Sequence, residues 1–105
     1  SKVKQAMLVH TVLFWLKDDL NEDQKATFFN ELETLKGIES ASTVHIGTPA
    51  ATSVRPVIDT SYDACLTVLL ENISAHDAYQ LDPLHTKFID TCKSLWKQVK
   101  IYDAD

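Results

Sequence analysis

The stretch Met7-Leu8-Val9-His10-Thr11-Val12-Leu13-Phe14-Trp15-Leu16 decides how the rest of this chain must fold. β-Branched and aromatic residues dominate it, and the polar run Lys17-Asp18-Asp19 ends it, so the pattern predicts a β-strand. Successive side chains of a strand point to opposite faces of the sheet. One face carries Leu8, His10, Val12, Phe14 and Leu16, and the other carries Met7, Val9, Thr11, Leu13 and Trp15. Because both faces are largely apolar, we expect both to be buried.

A chain of 105 residues forms a single domain, which we place over residues 1–105 with a core of about 7–103. The helices of one such domain cover one face of a small sheet. A second copy of the same sheet is the simplest cover for the other face. We therefore expect a homodimer in which two sheets pack face to face.

The remaining elements follow from periodicity and turn signals. The predicted order is strand 7–16, helix 21–35, strand 39–46, loop 47–61, strand 62–70, a helical region from 74 onward that is divided at residue 83, and strand 99–102. We expect Asn21 and Gln24 to form a capping box, Gly37 to end the first helix, Ser74 to cap the second and Pro83 to open the third. This βαββαβ order is typical of a ferredoxin-like α+β sandwich.

Composition excludes several classes of protein. The net charge of −5 argues against a nucleic-acid partner. The chain has no apolar run of membrane-spanning length and no signal-peptide pattern, so we expect no membrane association and a cytoplasmic protein. Cys65 and Cys92 show no metal or disulfide spacing, and we expect two buried thiols in a reducing compartment.

Three segments, taken in order, resemble the stress-responsive dimeric α/β-barrel (Dabb) domain family. They are Leu8-Val9-His10-Thr11-Val12-Leu13-Phe14, then Tyr79-Gln80-Leu81-Asp82-Pro83-Leu84-His85-Thr86-Lys87-Phe88, then Val99-Lys100-Ile101-Tyr102-Asp103. The resemblance implies a homodimer whose two sheets form a barrel. It implies no single reaction, because most family members have none assigned.

One plant member of that family, olivetolic acid cyclase, closes a polyketide chain by an aldol reaction without a cofactor. The resemblance matches its first-strand histidine to His10, its histidine after the proline to His85, and its tyrosine six residues earlier to Tyr79.

Other positions depart from that pattern. A tyrosine and a histidine of the cyclase pocket fall at Leu32 and Ala64, and the family's histidine before the proline is replaced by Asp82. These departures argue against the same cyclase reaction, and they leave a pocket at His10, Tyr79 and His85 in place.

The chemistry of this trio is consistent with three functions. Histidine exchanges protons near neutral pH, and a tyrosine hydroxyl can donate a hydrogen bond. We expect a pocket between helices and sheet, edged by His10, Tyr79 and His85, that binds a small apolar or aromatic molecule. The first alternative is a cofactor-free enzyme, a cyclase, isomerase or monooxygenase-like protein, with His85 and His10 as acid and base. The second is a purely structural, stress-stable dimer.

The remaining residues give no further site. The histidines and carboxylates lack a recognisable metal-binding spacing, and there is no glycine-rich phosphate loop, so we expect no metal and no cofactor. We expect His45 and His76 to be exposed or to lie at an edge. The role of the loop 47–61 is not predicted.

Overall fold

A computed structural model describes residues 7–105 of the protein and shows four strands in one sheet with three helices. The elements are β1 (Leu8–Leu16), α1 (Glu22–Thr34), β2 (Ala41–Gly47), β3 (Ala64–Leu70), α2 (Ile73–Leu81), α3 (Pro83–Cys92) and β4 (Trp96–Ala104). Single 3₁₀ turns follow α1 and α3. The predicted βαββαβ order is confirmed, and residues 1–6 of the predicted domain lie outside the described part.

The sheet has the strand order β2-β3-β1-β4, and its neighbouring strands are antiparallel. β1 is therefore a central strand, paired on one side with β3 and on the other with β4. In this register His10 lies opposite Val68 of β3 and Asp103 of β4. That register brings the end of the chain beside the first strand.

The helices cover one face of the sheet, as the ferredoxin-like order of the elements predicted. On that face Leu8, His10, Val12, Phe14 and Leu16 are buried, whereas the intervening residues of β1 are only half-buried. β3 alternates in the same way, with its second face half-buried. The protein thus leaves one apolar sheet face partly open to solvent.

Helix caps confirm some of the sequence predictions and correct others. Asn21 and Gln24 form the predicted capping box at the start of α1. The second helix begins at Ile73, and its cap is Asn72, whose side chain accepts a hydrogen bond from the Ala75 backbone, so the prediction of Ser74 as cap was wrong. Asparagine and serine cap equally well, and only the position of the first helical turn distinguishes them.

Gly37 was predicted to end α1, but it does not do so and does not adopt a left-handed conformation. It belongs to the 3₁₀ turn that continues the helix, and no described glycine has a positive φ. A Cβ atom at this position would lie 3.1 Å from Cδ1 of Leu84. The glycine therefore serves close packing between this turn and α3.

Strand ends also differ from the predicted ones. β2 begins at Ala41 and β3 at Ala64, each two residues later than predicted, whereas β4 extends well beyond the predicted 99–102 on both sides. The longer β4 has a consequence for the site, because it includes Asp103.

A long loop, residues 48–63, joins β2 and β3 and is mostly exposed. Val54 and Val57 are 100% and 78% exposed, so their side chains contribute nothing to this core. Two hydrogen bonds attach the C-terminal end of the loop to β1. Ser61 Oγ accepts a hydrogen bond from Trp15 Nε1, and Asp63 Oδ2 accepts one from the Leu16 backbone.

The two cysteines differ in environment. Cys92 is buried, and that burial, together with nearby Glu31, raises the pKa of its thiol to about 11. Cys65 is only half-buried, on the open face of β3, so the prediction of two buried thiols holds for Cys92 alone. Within residues 7–105, no helix has both the length and the apolarity needed to cross a membrane.

Phe28 of α1 is the best test of the core. It is fully buried, and its ring packs against Phe14 of β1 and Phe88 of α3 at centroid distances of 5.3 and 6.0 Å. We expect Phe28→Ala to lower the free energy of unfolding by about 3–5 kcal/mol, because it leaves a cavity between three elements. Urea unfolding at fixed protein concentration measures the loss.

The matched control is Asn30→Ala, an exposed position on the same helix, for which we expect a change of no more than about 0.5 kcal/mol. Equal losses in the two variants would contradict the assignment of Phe28 to the core.

Candidate functional site

The candidate site lies where the sheet meets the junction of α2 and α3. His10 projects from β1, Tyr79 from the last turns of α2, and His85 from the first turn of α3. The Tyr79 ring lies between the two histidines, 5.8 Å from His10 and 5.1 Å from His85 by ring centroids. The structure thus brings the three predicted residues together, with tyrosine as the middle member.

Local sequence at the helix junction fixes the position of His85. Asp82 ends α2 and caps α3, its Oδ1 accepting a hydrogen bond from the Leu84 backbone at 2.9 Å. Pro83 occupies the first helical position, as predicted, because its fixed φ suits a helix start. The third residue of the new helix is His85, which is half-buried over Tyr79. Asp82 therefore has a structural role, as the residue that ends α2 and caps α3.

His10 is held by a carboxylate from the neighbouring strand. Its Nδ1 lies 2.5 Å from Oδ1 of Asp103, directly opposite in the sheet register. A carboxylate can only accept a hydrogen bond, so Nδ1 is the donor. In the neutral ring Nε2 is then free to accept. The ring is 2% exposed, so this contact replaces the water that His10 loses on burial.

His76, which was predicted to be exposed or to lie at an edge, is half-buried and is a further member of the site. Its ring packs edge-on against His10 with a centroid distance of 5.2 Å, and its Nε2 lies 3.9 Å from Oδ2 of Asp103. His76 precedes Tyr79 by three residues, a spacing that places both on the same side of α2. This three-residue spacing is the feature of the sequence from which His76 could have been predicted as a neighbour of Tyr79. His45, by contrast, is exposed as predicted.

A cavity of about 130 Å³ adjoins the trio between β1, β4, α2 and α3. Four of its lining residues carry polar side chains: His10, Tyr79, Gln80 and His85. The rest are apolar or aromatic: Val12, Phe14, Leu66, Phe88, Ile89, Trp96, Val99 and Ile101. Val99 and Ile101 are 39% and 54% exposed, so the cavity opens to solvent along β4.

The Tyr79 hydroxyl is the most unusual polar group of this cavity. The residue is fully buried, and its hydroxyl has no hydrogen-bond partner among the described residues. Burial raises the pKa of Tyr79 far above its ordinary value, so the hydroxyl keeps its proton. A buried hydroxyl without a partner costs free energy, on the order of 1–3 kcal/mol. The site therefore holds a buried hydrogen-bond donor that the described residues leave unsatisfied.

His85 has a pKa below its ordinary value. Burial is the main cause, and positive charge on His10 or His76 acts in the same direction. The Gln80 backbone and the Asp82 carboxylate oppose the shift. His85 is therefore mainly neutral at pH 7 and can accept a proton.

Together the groups offer a proton donor, a proton acceptor and an apolar wall. Tyr79 can donate to a carbonyl or hydroxyl oxygen, and neutral His85 can accept from a hydroxyl or an acidic C–H. These are the elements of acid–base chemistry, and they equally suit the recognition of a small molecule that has one polar end.

Comparison with solved structures shows the same fold over nearly the whole chain. A dimeric ferredoxin-like protein of unknown function from Thermobifida fusca is 19% identical with a TM-score of 0.76, over 99% of this chain and 95% of that one. A Dabb family protein from Mesorhizobium loti is 20% identical with a TM-score of 0.76, over 96% and 97%. Hydroxynitrile lyase from Passiflora edulis is 13% identical with a TM-score of 0.80, over 96% and 94%.

Comparison with curated protein sequences gives no significant match. The resemblance to olivetolic acid cyclase accordingly stays a prediction. The family itself is shown by sequence, since residues 8–105 match the family model described as the stress responsive A/B barrel domain. With the βαββαβ sheet, the ferredoxin-like relatives and this match in agreement, the chain belongs to the Dabb family.

Proposed function

We propose that the protein binds a small apolar or aromatic molecule in the cavity edged by His10, Tyr79 and His85. The observation that carries this proposal is the fully buried Tyr79 hydroxyl, which faces no protein partner in the described chain. A ligand oxygen that accepts this hydrogen bond would remove a desolvation cost that the folded protein otherwise bears.

The size and lining of the cavity define the class of ligand. An apolar cavity of about 150 Å³ holds benzene, so about 130 Å³ suits a single ring or a short branched chain. Larger molecules can extend outward over the exposed side chains of Val99 and Ile101. The preferred ligand has an apolar body and a carbonyl or hydroxyl oxygen near Tyr79.

A second candidate function is cofactor-free acid–base catalysis at the same site. The depressed pKa of His85 favours it, because a neutral imidazole beside an apolar cavity can take a proton from a bound substrate. His10, oriented by Asp103, would supply the second proton-transfer group. Hydroxynitrile lyase from Passiflora edulis has this fold, but at 13% identity the likeness concerns the fold alone. Turnover of a bound ligand separates catalysis from binding.

We also propose that the protein is a homodimer formed by its open sheet face. Residues of β1 and β3 on that face are half-buried and mostly apolar, among them Leu13 and Leu69. The Thermobifida fusca relative is described as dimeric. A purely structural dimer is the third candidate function, and the unsatisfied Tyr79 hydroxyl counts against it. A cytoplasmic location stays part of the proposal.

Removal of the Tyr79 hydroxyl should weaken the binding of a ligand that carries an acceptor oxygen and should not lower the stability of the protein. We expect wild-type protein to bind benzaldehyde more tightly than toluene, because only benzaldehyde offers an acceptor. Tyr79→Phe should weaken benzaldehyde binding about 2- to 12-fold, the range that one hydrogen bond of 0.5–1.5 kcal/mol provides, and leave toluene binding unchanged. NMR titration of each ligand measures both affinities.

The matched control is Tyr102→Phe, which removes the hydroxyl of an exposed tyrosine on β4. If benzaldehyde fails to perturb signals of Tyr79 and His85, or if both variants lose affinity equally, the proposed binding mode is wrong.

The depressed pKa of His85 should be visible in the pH dependence of stability. Between the folded pKa and the ordinary value of about 6.5, the unfolded chain binds more protons than the folded one. The stability contributed by neutral His85 is therefore complete above about pH 6.5 and is lost as the pH falls through this window. Urea unfolding between pH 7.5 and 5 should show a shallower decline for His85→Gln than for wild type.

NMR titration of the histidine rings gives an independent readout, with a His85 midpoint below 6.5. His85→Gln assigns the signal, and His45→Gln, at an exposed histidine of β2, should retain it. A His85 midpoint at or above 6.5 would refute the buried, neutral state.

Charge on the open sheet face should prevent dimerisation. Leu13 lies between Cys65 and Lys100 near the middle of that face. We expect wild-type protein to sediment as a dimer at micromolar concentration and Leu13→Asp to sediment as a monomer, because a buried unpaired carboxylate disfavours the interface. Asn30→Asp, on the exposed surface of α1, is the control and should stay dimeric. A stable folded wild-type monomer is the contrary outcome.

A further inference from the structure

Three side chains converge at one end of the sheet, and only one of them, His10, belongs to the proposed binding site. His10 of β1, His76 of α2 and Asp103 of β4 each offer a ligand atom, and these atoms lie within 4.8 Å of one another. They come from three separate elements, far apart in sequence, so no local spacing predicts them. Two imidazoles and one carboxylate are a donor set that proteins use for divalent transition metals.

We propose that His10, His76 and Asp103 form a binding site for a divalent transition-metal ion of the zinc type. This metal site differs from the proposed binding site for an apolar molecule, and His10 belongs to both sites. The donors would be Nδ1 of His10, Nε2 of His76 and a carboxylate oxygen of Asp103, the atoms that face one another.

The distances are close to those of a metal-bound set. Zinc bonds to nitrogen and oxygen of about 2.0–2.2 Å, at tetrahedral angles, place neighbouring ligand atoms about 3.4 Å apart. Oδ1 of Asp103 lies 2.5 Å from Nδ1 of His10, shorter than this value, and Oδ2 of Asp103 lies 3.9 Å from Nε2 of His76, longer than it. A small shift of the carboxylate from His10 toward His76 would lengthen the first distance and shorten the second. The Asp103 side chain is 43% exposed and has room for that shift.

A second, independent observation is the support of His76 by Asp77. The His76 Nδ1 lies 3.2 Å from Oδ1 of Asp77, where it can donate a hydrogen bond. Because Nδ1 is engaged in this way, the other nitrogen, Nε2, is the one left for a metal. Metal-binding histidines almost always donate their second nitrogen to such an outer acceptor, which fixes the ring orientation.

The site is also reachable from solvent. A surface cavity of about 330 Å³ borders it and is lined by His76 and Asp103 together with two further carboxylates, Asp77 and Asp105. The negative charge of these carboxylates at the cavity entrance attracts cations. Entry of the metal releases the Nδ1 proton of His10, since that nitrogen becomes a ligand. Three protein donors leave at least one coordination position for water or an anionic group.

The test is a Zn²⁺ titration of untagged, chelator-treated protein in competition with a chromophoric chelator. We expect one Zn²⁺ per chain, with at least a tenfold loss of affinity in His76→Gln and in Asp103→Asn. Asn can still accept the hydrogen bond of His10, so Asp103→Asn keeps the fold, which circular dichroism checks. His45→Gln is the matched control, because it removes an exposed histidine elsewhere on the protein and should bind as wild type does.

Nitrogen-15 NMR of the imidazole rings identifies the donor atoms directly, with Zn²⁺ shifting Nδ1 of His10 and Nε2 of His76. Absence of stoichiometric binding, or full affinity in both His76→Gln and Asp103→Asn, overturns the proposal. Neither result affects benzaldehyde binding through Tyr79, so the two proposals fail separately.

Discussion

The contact between His10 and Asp103 is the constraint on which the arrangement of this protein depends. A histidine on a buried strand face needs a polar partner, and the side chains of α2 beside His10, His76 and Tyr79, pack against its ring edge-on. The partner comes instead from the opposite position on β4, at the other end of the chain. This contact requires β4 to pair with β1 in one register, because a shift by one residue would turn Asp103 to the other face of the sheet.

From that register the remaining features of the site follow. Val99 and Ile101 face the same side as Asp103 and form the open wall of the cavity. The helix junction at Asp82 and Pro83 sets His85 over Tyr79, and Tyr79 in turn lies beside His10. One aromatic and two imidazole rings therefore stack through edge contacts between sheet and helices. The polar groups of this stack are fixed in place before any ligand arrives, which reduces the entropy cost of binding.

Local sequence pattern was sufficient for the fold but not for the site. Strand alternation, the capping box at Asn21 and the proline at the start of α3 depend on neighbouring residues, and each was predicted. His76 and Asp103 were missed because their roles depend on strand register and on the packing of α2, which neighbouring residues do not encode. The predicted end of β4 at Tyr102 had excluded Asp103 by a single residue. Family resemblance supplied His10, Tyr79 and His85 as a set, while the structure supplied their order in space.

The position of β4 at the edge of the sheet also affects the tendency of the protein to aggregate. This nine-residue strand is the outermost strand on its side of the sheet, and it exposes Val99 and Ile101 along an unpaired backbone edge. Such an edge can recruit a strand from another molecule and start an aggregate. Lys97 and Lys100 lie along the same strand and are exposed, and Lys97 forms an ion pair with Asp18 at 2.8 Å. Lysines on an edge strand disfavour the addition of a further strand, and here the charge without an acidic partner among the described ion pairs is that of Lys100.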